Sequence, residues 1–220
     1  MAKTRSSRKR SRPVKKQNPL KKSSGKIGIV LIFAIILIAV AAVYVYSGNN
    51  GQDGGTTEGN PIAVIDTSKG TIKVELYEDK VPTTVQNFVK LANDGFYDGM
   101  IFHRIMNDFM IQAGRYFPDG SQEQSPYGNI EFETHEDVKH VDGAISMAST
   151  GAKVGGSSEF FICDGAQSGL DGNYAAFGVV IEGIDVVRDI ADEAHDNSSP
   201  AGGGKPDEDI LINSITIENQ

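Results

Sequence analysis

The sequence predicts a mainly β domain, a closed antiparallel barrel carrying two helices, preceded by one transmembrane helix. Three observations predict it. Eight short apolar segments bounded by turn residues follow one another between residues 63 and 217. Only two helical patterns interrupt them, with no strand–helix–strand alternation, which argues against a doubly wound sheet. An uncharged run of twenty residues, 27–46, stands before all of them.

The chain divides into four segments. Residues 1–26 carry eleven Lys and Arg and no acid. The other ten basic residues face all twenty-nine acids, so 27–220 has a balance of −19. The run IGIVLIFAIILIAVAAVYVY at 27–46 has no polar face and ends in Tyr44 and Tyr46. As a helix it is about 30 Å long, the thickness of the hydrocarbon layer. Basic residues on its N-terminal side predict a cytoplasmic N-terminus and an exterior C-terminal domain. Ala39-Val40-Ala41 resembles a signal-peptide cut site, but the apolar run continues past it, which favours an uncleaved anchor. The basic tail reads as a topology signal attracted to lipid headgroups rather than as a nucleic-acid arm. Residues 47–60, SGNNGQDGGTTEGN, hold no large apolar side chain and read as a flexible tether spanning roughly 20 Å.

Residues 61–220 form the predicted folded domain. Ala63–Thr67 and Thr71–Leu76 read as strands joined at Ser68-Lys69-Gly70; Ile72, Val74 and Leu76 alternate with Lys73 and Glu75. Pro82 suits the first turn of a helix whose Val85, Phe88, Val89 and Ala92 recur at helical spacing, and Gly95 stops it. Further strands are predicted at Ile101–Ile105, Phe109–Ala113, Ala144–Ala148, Phe160–Cys163, Ala176–Val180 and Ile210–Ile217, with a second helix at Ile184–Ala191.

Most chemistries find no support. The one cysteine, Cys163, forms no intrachain disulfide or thiolate cluster and reads as a small buried hydrophobe. No phosphate-binding loop or nucleophile elbow is present, and His103, His135, His140 and His195 lack metal-ligand spacing. His135 and His140, among Glu133, Glu136 and Asp137, read as a solvated charged loop. No metal or other cofactor is expected. On a strand, His103 and Arg104 should point to opposite faces, one into the barrel and one out. A hairpin would set Arg104 beside Phe109, Met110 and Gln112: a cation next to apolar walls and one amide.

Several motifs in order resemble one family. They are Val81-Pro82-Thr83-Thr84-Val85-Gln86-Asn87-Phe88, Phe102-His103-Arg104-Ile105 with Phe109-Met110-Ile111-Gln112-Ala113-Gly114, Ser146-Met147-Ala148, Ser158-Glu159-Phe160-Phe161-Ile162, and Leu170 through Gly178. Together they span essentially all of 61–220 and resemble the cyclophilins. The resemblance implies an eight-stranded antiparallel barrel capped by two helices, and peptidyl-prolyl cis-trans isomerase activity on proline-containing polypeptides. It implies that Arg104 is the main catalytic residue, with Phe109 beside it in the pocket wall and Gln112 holding either Arg104 or the substrate. Met110, Phe161 and Leu170 would wall a proline pocket with Tyr174 at its edge, while Ala148 and Ser149 would lie along the peptide backbone. Glu159 stands where the family usually has Gln, poised either to pair with Arg104 and compete with substrate or to point into solvent. Gly169 replaces a Trp of many eukaryotic members, which weighs against strong cyclosporin binding. Tyr174 replaces a common His, Ser149-Thr150 the usual Asn-Ala, and loop 115–129 lacks the family's Gly-rich run. His103 reads as a buried structural residue. The expectation is a monomeric, membrane-anchored prokaryotic isomerase helping exported proteins to fold; the rival reading is a proline-peptide binding module with little turnover.

Overall fold

Alternating apolar residues build one curled sheet, and two amphipathic helices cover its open sides. The computed structural model describes residues 59–219. The basic tail 1–26, the apolar run 27–46 and nearly all of the linker 47–60 lie outside the described residues. Among the described residues, no helix is long and apolar enough to cross a membrane.

The eight strands are β1 (Ile62–Thr67), β2 (Gly70–Leu76), β3 (Arg104–Met106), β4 (Met110–Ala113), β5 (Ala144–Met147), β6 (Phe160–Cys163), β7 (Ala175–Glu182) and β8 (Ile212–Glu218). Their order in the sheet is β3-β4-β6-β5-β7-β2-β1-β8, and every ladder is antiparallel. Among the described residues, two α-helices accompany them, α1 (Pro82–Asn93) and α2 (Ile184–Ala191).

The expectation of a closed barrel needs correction: the sheet is a half-barrel with β3 and β8 at its edges. β3 is only three residues long, too short to carry a ladder to β8. The segments beside the two edges meet instead through the single bridge Ile101↔Leu211 and a few backbone bonds, such as Phe102 N–H to Ile210 C=O at 3.0 Å.

α1 begins at Pro82, whose missing N–H costs nothing at a helix start. The residue before it supplies no side-chain cap. Glu133 does so from 49 positions away in sequence, accepting the Thr84 N–H at 2.8 Å and the Thr84 hydroxyl at 3.0 Å. A carboxylate there satisfies orphan donors and the positive end of the helix dipole. Val85, Phe88, Leu91 and Ala92 form the buried stripe of α1. Phe88 packs on Tyr97, Phe160 and Phe177, with ring centroids 5.3–5.4 Å apart.

Strand alternation then separates core from site. Phe160 points inward, edge-on to Phe88 and Tyr97. Phe161, the next residue, faces the other side with Met110 and Cys163 in a second, smaller apolar cluster.

Candidate active site

The β3–β4 hairpin sets the site. Its register pairs Arg104 with Gln112 and Met106 with Met110, which puts these side chains on one face; Ile105 and Ile111 pair between them and are buried in the core. The sequence expectation of Arg104 beside Met110 and Gln112 is therefore met in the structure. The expectation that either His103 or Arg104 enters the barrel is not. Arg104 is half-buried, His103 is mostly buried against Tyr116 and Glu159, and Phe102 and Ile105 point into the core instead. His103 lies just outside β3, where the two-residue alternation no longer holds.

The Arg104 guanidinium is held on three sides. Nε donates to Gly202 C=O at 3.0 Å, Nη2 to Ala201 C=O at 3.2 Å and Nη1 to the Gln112 side-chain oxygen at 3.3 Å. Its carbon lies 5.9 Å from the centre of the Phe109 ring, a cation–π approach. Partial burial lowers its pKa from the ordinary arginine value, yet arginine remains a cation in proteins. The strap 201–203 was not anticipated from sequence. The Gly202-Gly203-Gly204 run was its signal. Gly203 has φ +69°, and a Cβ there would lie 2.1 Å from the Ile105 carbonyl oxygen, so only glycine lets the strap lie this close to β3.

Beside this cation is a cup of about 220 Å³. Phe109, Met110, Phe161 and Leu170 supply its apolar wall, and Tyr174, Ala148 and Ser149 line its rim. Tyr174 meets Phe161 edge-on, with centroids 6.1 Å apart. Nine of the ten predicted site residues, all but Glu159, thus line one cavity. Gln112, Ala148 and Ser149 also border a neighbouring groove of about 340 Å³ that runs over loop 123–129.

Glu159 does neither of the things expected of it. It is mostly buried, one step behind the cup. One oxygen accepts from Arg115 Nη1 at 2.9 Å, and the other accepts from the Gln112 amide nitrogen at 3.0 Å. His103 Nε2 stands 3.5 Å from that second oxygen. Burial alone would raise the pKa of this carboxyl. Hydrogen bonds and charge from His103 and Arg115 outweigh it and bring the value down to about 2.

The charged-loop reading of residues 133–140 also needs correction. His140 is buried beneath Phe161; its Nδ1 meets Asp171 Oδ1 at 3.0 Å and its Nε2 meets the Ser146 hydroxyl at 3.1 Å. Burial lowers its pKa, and Asp171 opposes that shift only in part. The Ser146–His140–Asp171 chain carries three residue types familiar from acyl-transfer enzymes. Here Ser146 is fully buried, so its hydroxyl meets no substrate. Periodicity gave no sign of this contact, since His140 sits in a coil segment. Among the described residues, no cluster of His, Cys, Asp and Glu could hold a metal ion.

The arrangement suits one kind of chemistry: a fixed cation bordering an apolar cup, whose rim hydroxyl on Ser149 is spent on the Gly151 carbonyl at 2.8 Å. Comparison with known proteins agrees. The family model for cyclophilin type peptidyl-prolyl cis-trans isomerase matches residues 62–217. A peptidyl-prolyl cis-trans isomerase of Synechococcus elongatus is 43% identical over 130 residues, covering 58% of this chain and 87% of that protein. The Arabidopsis thaliana isomerase CYP18-2 is 38% identical over 144 residues, covering 64% of this chain and 87% of its own. A crystal structure of a Cryptosporidium parvum cyclophilin type isomerase, solved in the presence of the dipeptide Ala-Pro, superposes with a TM-score of 0.64 at 31% identity, covering 72% of this chain and 99% of that one. This chain belongs to the cyclophilin-type peptidyl-prolyl cis-trans isomerase family, an enzyme family of class EC 5.2.1.8.

Proposed function

We propose that this protein accelerates X–Pro isomerisation in polypeptides folding outside the cytoplasm, held at the membrane by residues 27–46. The observation that carries the activity is the Arg104 guanidinium, fixed by the 201–202 carbonyls and Gln112 at the rim of an apolar cup. An X–Pro amide resists rotation because of resonance, with a barrier of roughly 18–20 kcal/mol. Proline is apolar and fits a cup of Phe109, Met110, Phe161 and Leu170. At the twisted transition state the imide nitrogen regains its lone pair. A guanidinium N–H aimed at that nitrogen stabilises the twisted state more than either planar isomer, which is the condition for catalysis. Because Arg104 is already held, no reorganisation is needed as charge develops. The crystal structure of the Cryptosporidium parvum relative with Ala-Pro supports a proline-containing peptide as the ligand.

Sequence arguments support the membrane part: an uncharged run of bilayer length with all flanking basic residues on its N-terminal side. The test is a proline-limited peptide assay on the full chain. Arg104→Ala is expected to lower kcat/KM by about a hundredfold or more while the fold persists, the scale seen when one transition-state donor is removed. Peptide binding without turnover in the unaltered chain would favour the binding-module reading. Protease treatment of intact cells tests placement: digestion of 61–220 without lysis is expected.

A further inference from the structure

Gln112 is the one side chain that touches both Arg104 and a second polar layer behind the cup. Its amide has two ends of similar shape and opposite polarity. The oxygen must face Arg104 if the guanidinium is to be held; the nitrogen facing it would set donor against donor. On its own the Gln112 amide has no means of choosing. The group on its far side makes the choice. Glu159, ionised, can only accept, and it lies 3.0 Å from the Gln112 nitrogen. Reversing the amide would oppose two acceptors on one side and two donors on the other.

Arg115 completes the arrangement. A lone carboxylate this close to the cup would draw Arg104 towards itself. Arg115 Nη1 takes the other Glu159 oxygen at 2.9 Å and balances its charge. The side chains form one connected row that converges on the Glu159 carboxylate: Arg115 and Gln112 both donate to it, and Gln112 accepts from Arg104 at 3.3 Å. Resting on the isomerase reading of Arg104, we infer that Glu159, balanced by Arg115, is a positioning residue that fixes the polarity of the Gln112 amide and so aims the Arg104 guanidinium at the bound proline.

The experiment uses the full chain and a proline-limited peptide, with kcat and KM separated. Glu159→Leu removes the acceptor and is expected to lower kcat about tenfold, with KM changed less than about twofold. Glu159→Gln, nearly the same shape but able to donate as well as accept, is expected to recover part of that loss. Arg115 reaches Gln112 only by way of Glu159, so adding Arg115→Met to Glu159→Leu is expected to cause no further loss of kcat. Nitrogen NMR of the Gln112 side-chain NH2 supplies a readout independent of turnover. One strongly shifted proton signal is expected in the unaltered chain, and its loss in Glu159→Leu. Unchanged kcat in Glu159→Leu, additive losses in the double variant, or unaltered Gln112 signals would each overturn the inference. Should Glu159→Leu not fold, Glu159→Gln decides: unchanged kcat with a single unaltered Gln112 signal overturns it. If the unaltered chain does not isomerise the peptide at all, the isomerase reading fails, and the NMR result still decides whether Glu159 orders Gln112.

Discussion

His140 and Phe161 lie nearly face to face, ring centroids 6.0 Å apart and planes 12° from parallel. One face of Phe161 thus closes the apolar cup, while the other rests on a histidine tied to both Asp171 and Ser146. Asp171 follows Leu170, another wall residue, so the same histidine braces two walls. His140→Ala would leave Ser146 unpaired in the core and open space under Phe161. A stability loss of about 1–3 kcal/mol is expected. Activity should fall mainly through a higher KM, because the cup rather than the cation is disturbed. Urea unfolding and steady-state kinetics check both.

Arg104→Lys should fail nearly as badly as Arg104→Ala. Lysine offers one compact charge and cannot hold two carbonyls and an amide from a fixed planar fork. The expected kcat/KM is within about tenfold of the alanine variant. Recovery of most activity in Arg104→Lys would show that charge alone suffices and that the three bonds to Arg104 are dispensable.

Acid should weaken the fold through Glu159. Its folded pKa of about 2 lies below the ordinary 4.5, so the folded state favours the ionised form. The resulting stability is complete above the ordinary value and is lost as pH falls from there towards 2. In Glu159→Gln this contribution is absent. Urea midpoints of the two proteins should differ most above about pH 5 and converge in strong acid.

Gly203→Ala should strain the strap. The new Cβ would meet the Ile105 carbonyl oxygen, at a backbone angle that alanine disfavours. We expect a loss of about 1–3 kcal/mol in stability together with reduced kcat, since moving the strap displaces two acceptors of Arg104. Thermal unfolding and the peptide assay together test this. A stability loss with kcat unchanged would separate the strap from catalysis.

Cys163 should be inert in the native state. It is fully buried, and burial, reinforced by Asp142 and Asp171, pushes its thiol pKa up to about 12. Iodoacetamide at neutral pH should leave it unmodified until denaturant is added, as measured by intact mass.

Much of the fold was legible because it is local. α2 spans the residues its apolar spacing predicted, and β6 the run Phe160–Cys163. The Arg104–Gln112 pairing follows once the two segments are joined as a hairpin. Less legible were arrangements made by distant segments. The two possibilities for Glu159 were drawn from its nearness to Arg104, whereas its partner Arg115 comes from the bend just after β4. His140 looked like a solvated loop residue because its neighbours are charged, yet Ser146 and Asp171 take it into the interior.

By itself the sequence determined the spans of α2 and β6 and the sharp division of charge between the N-terminal tail and the rest, whereas β3 starts at Arg104, three residues after its predicted start at Ile101. Tertiary structure alone decided that carbonyls 97 and 98 positions beyond Arg104 hold its guanidinium, and that the sheet stops short of full closure. The physical reason is range. Side-chain periodicity records the solvent and core faces of one segment, while a hydrogen bond between segments depends on how the sheet curls and leaves no periodic trace in either.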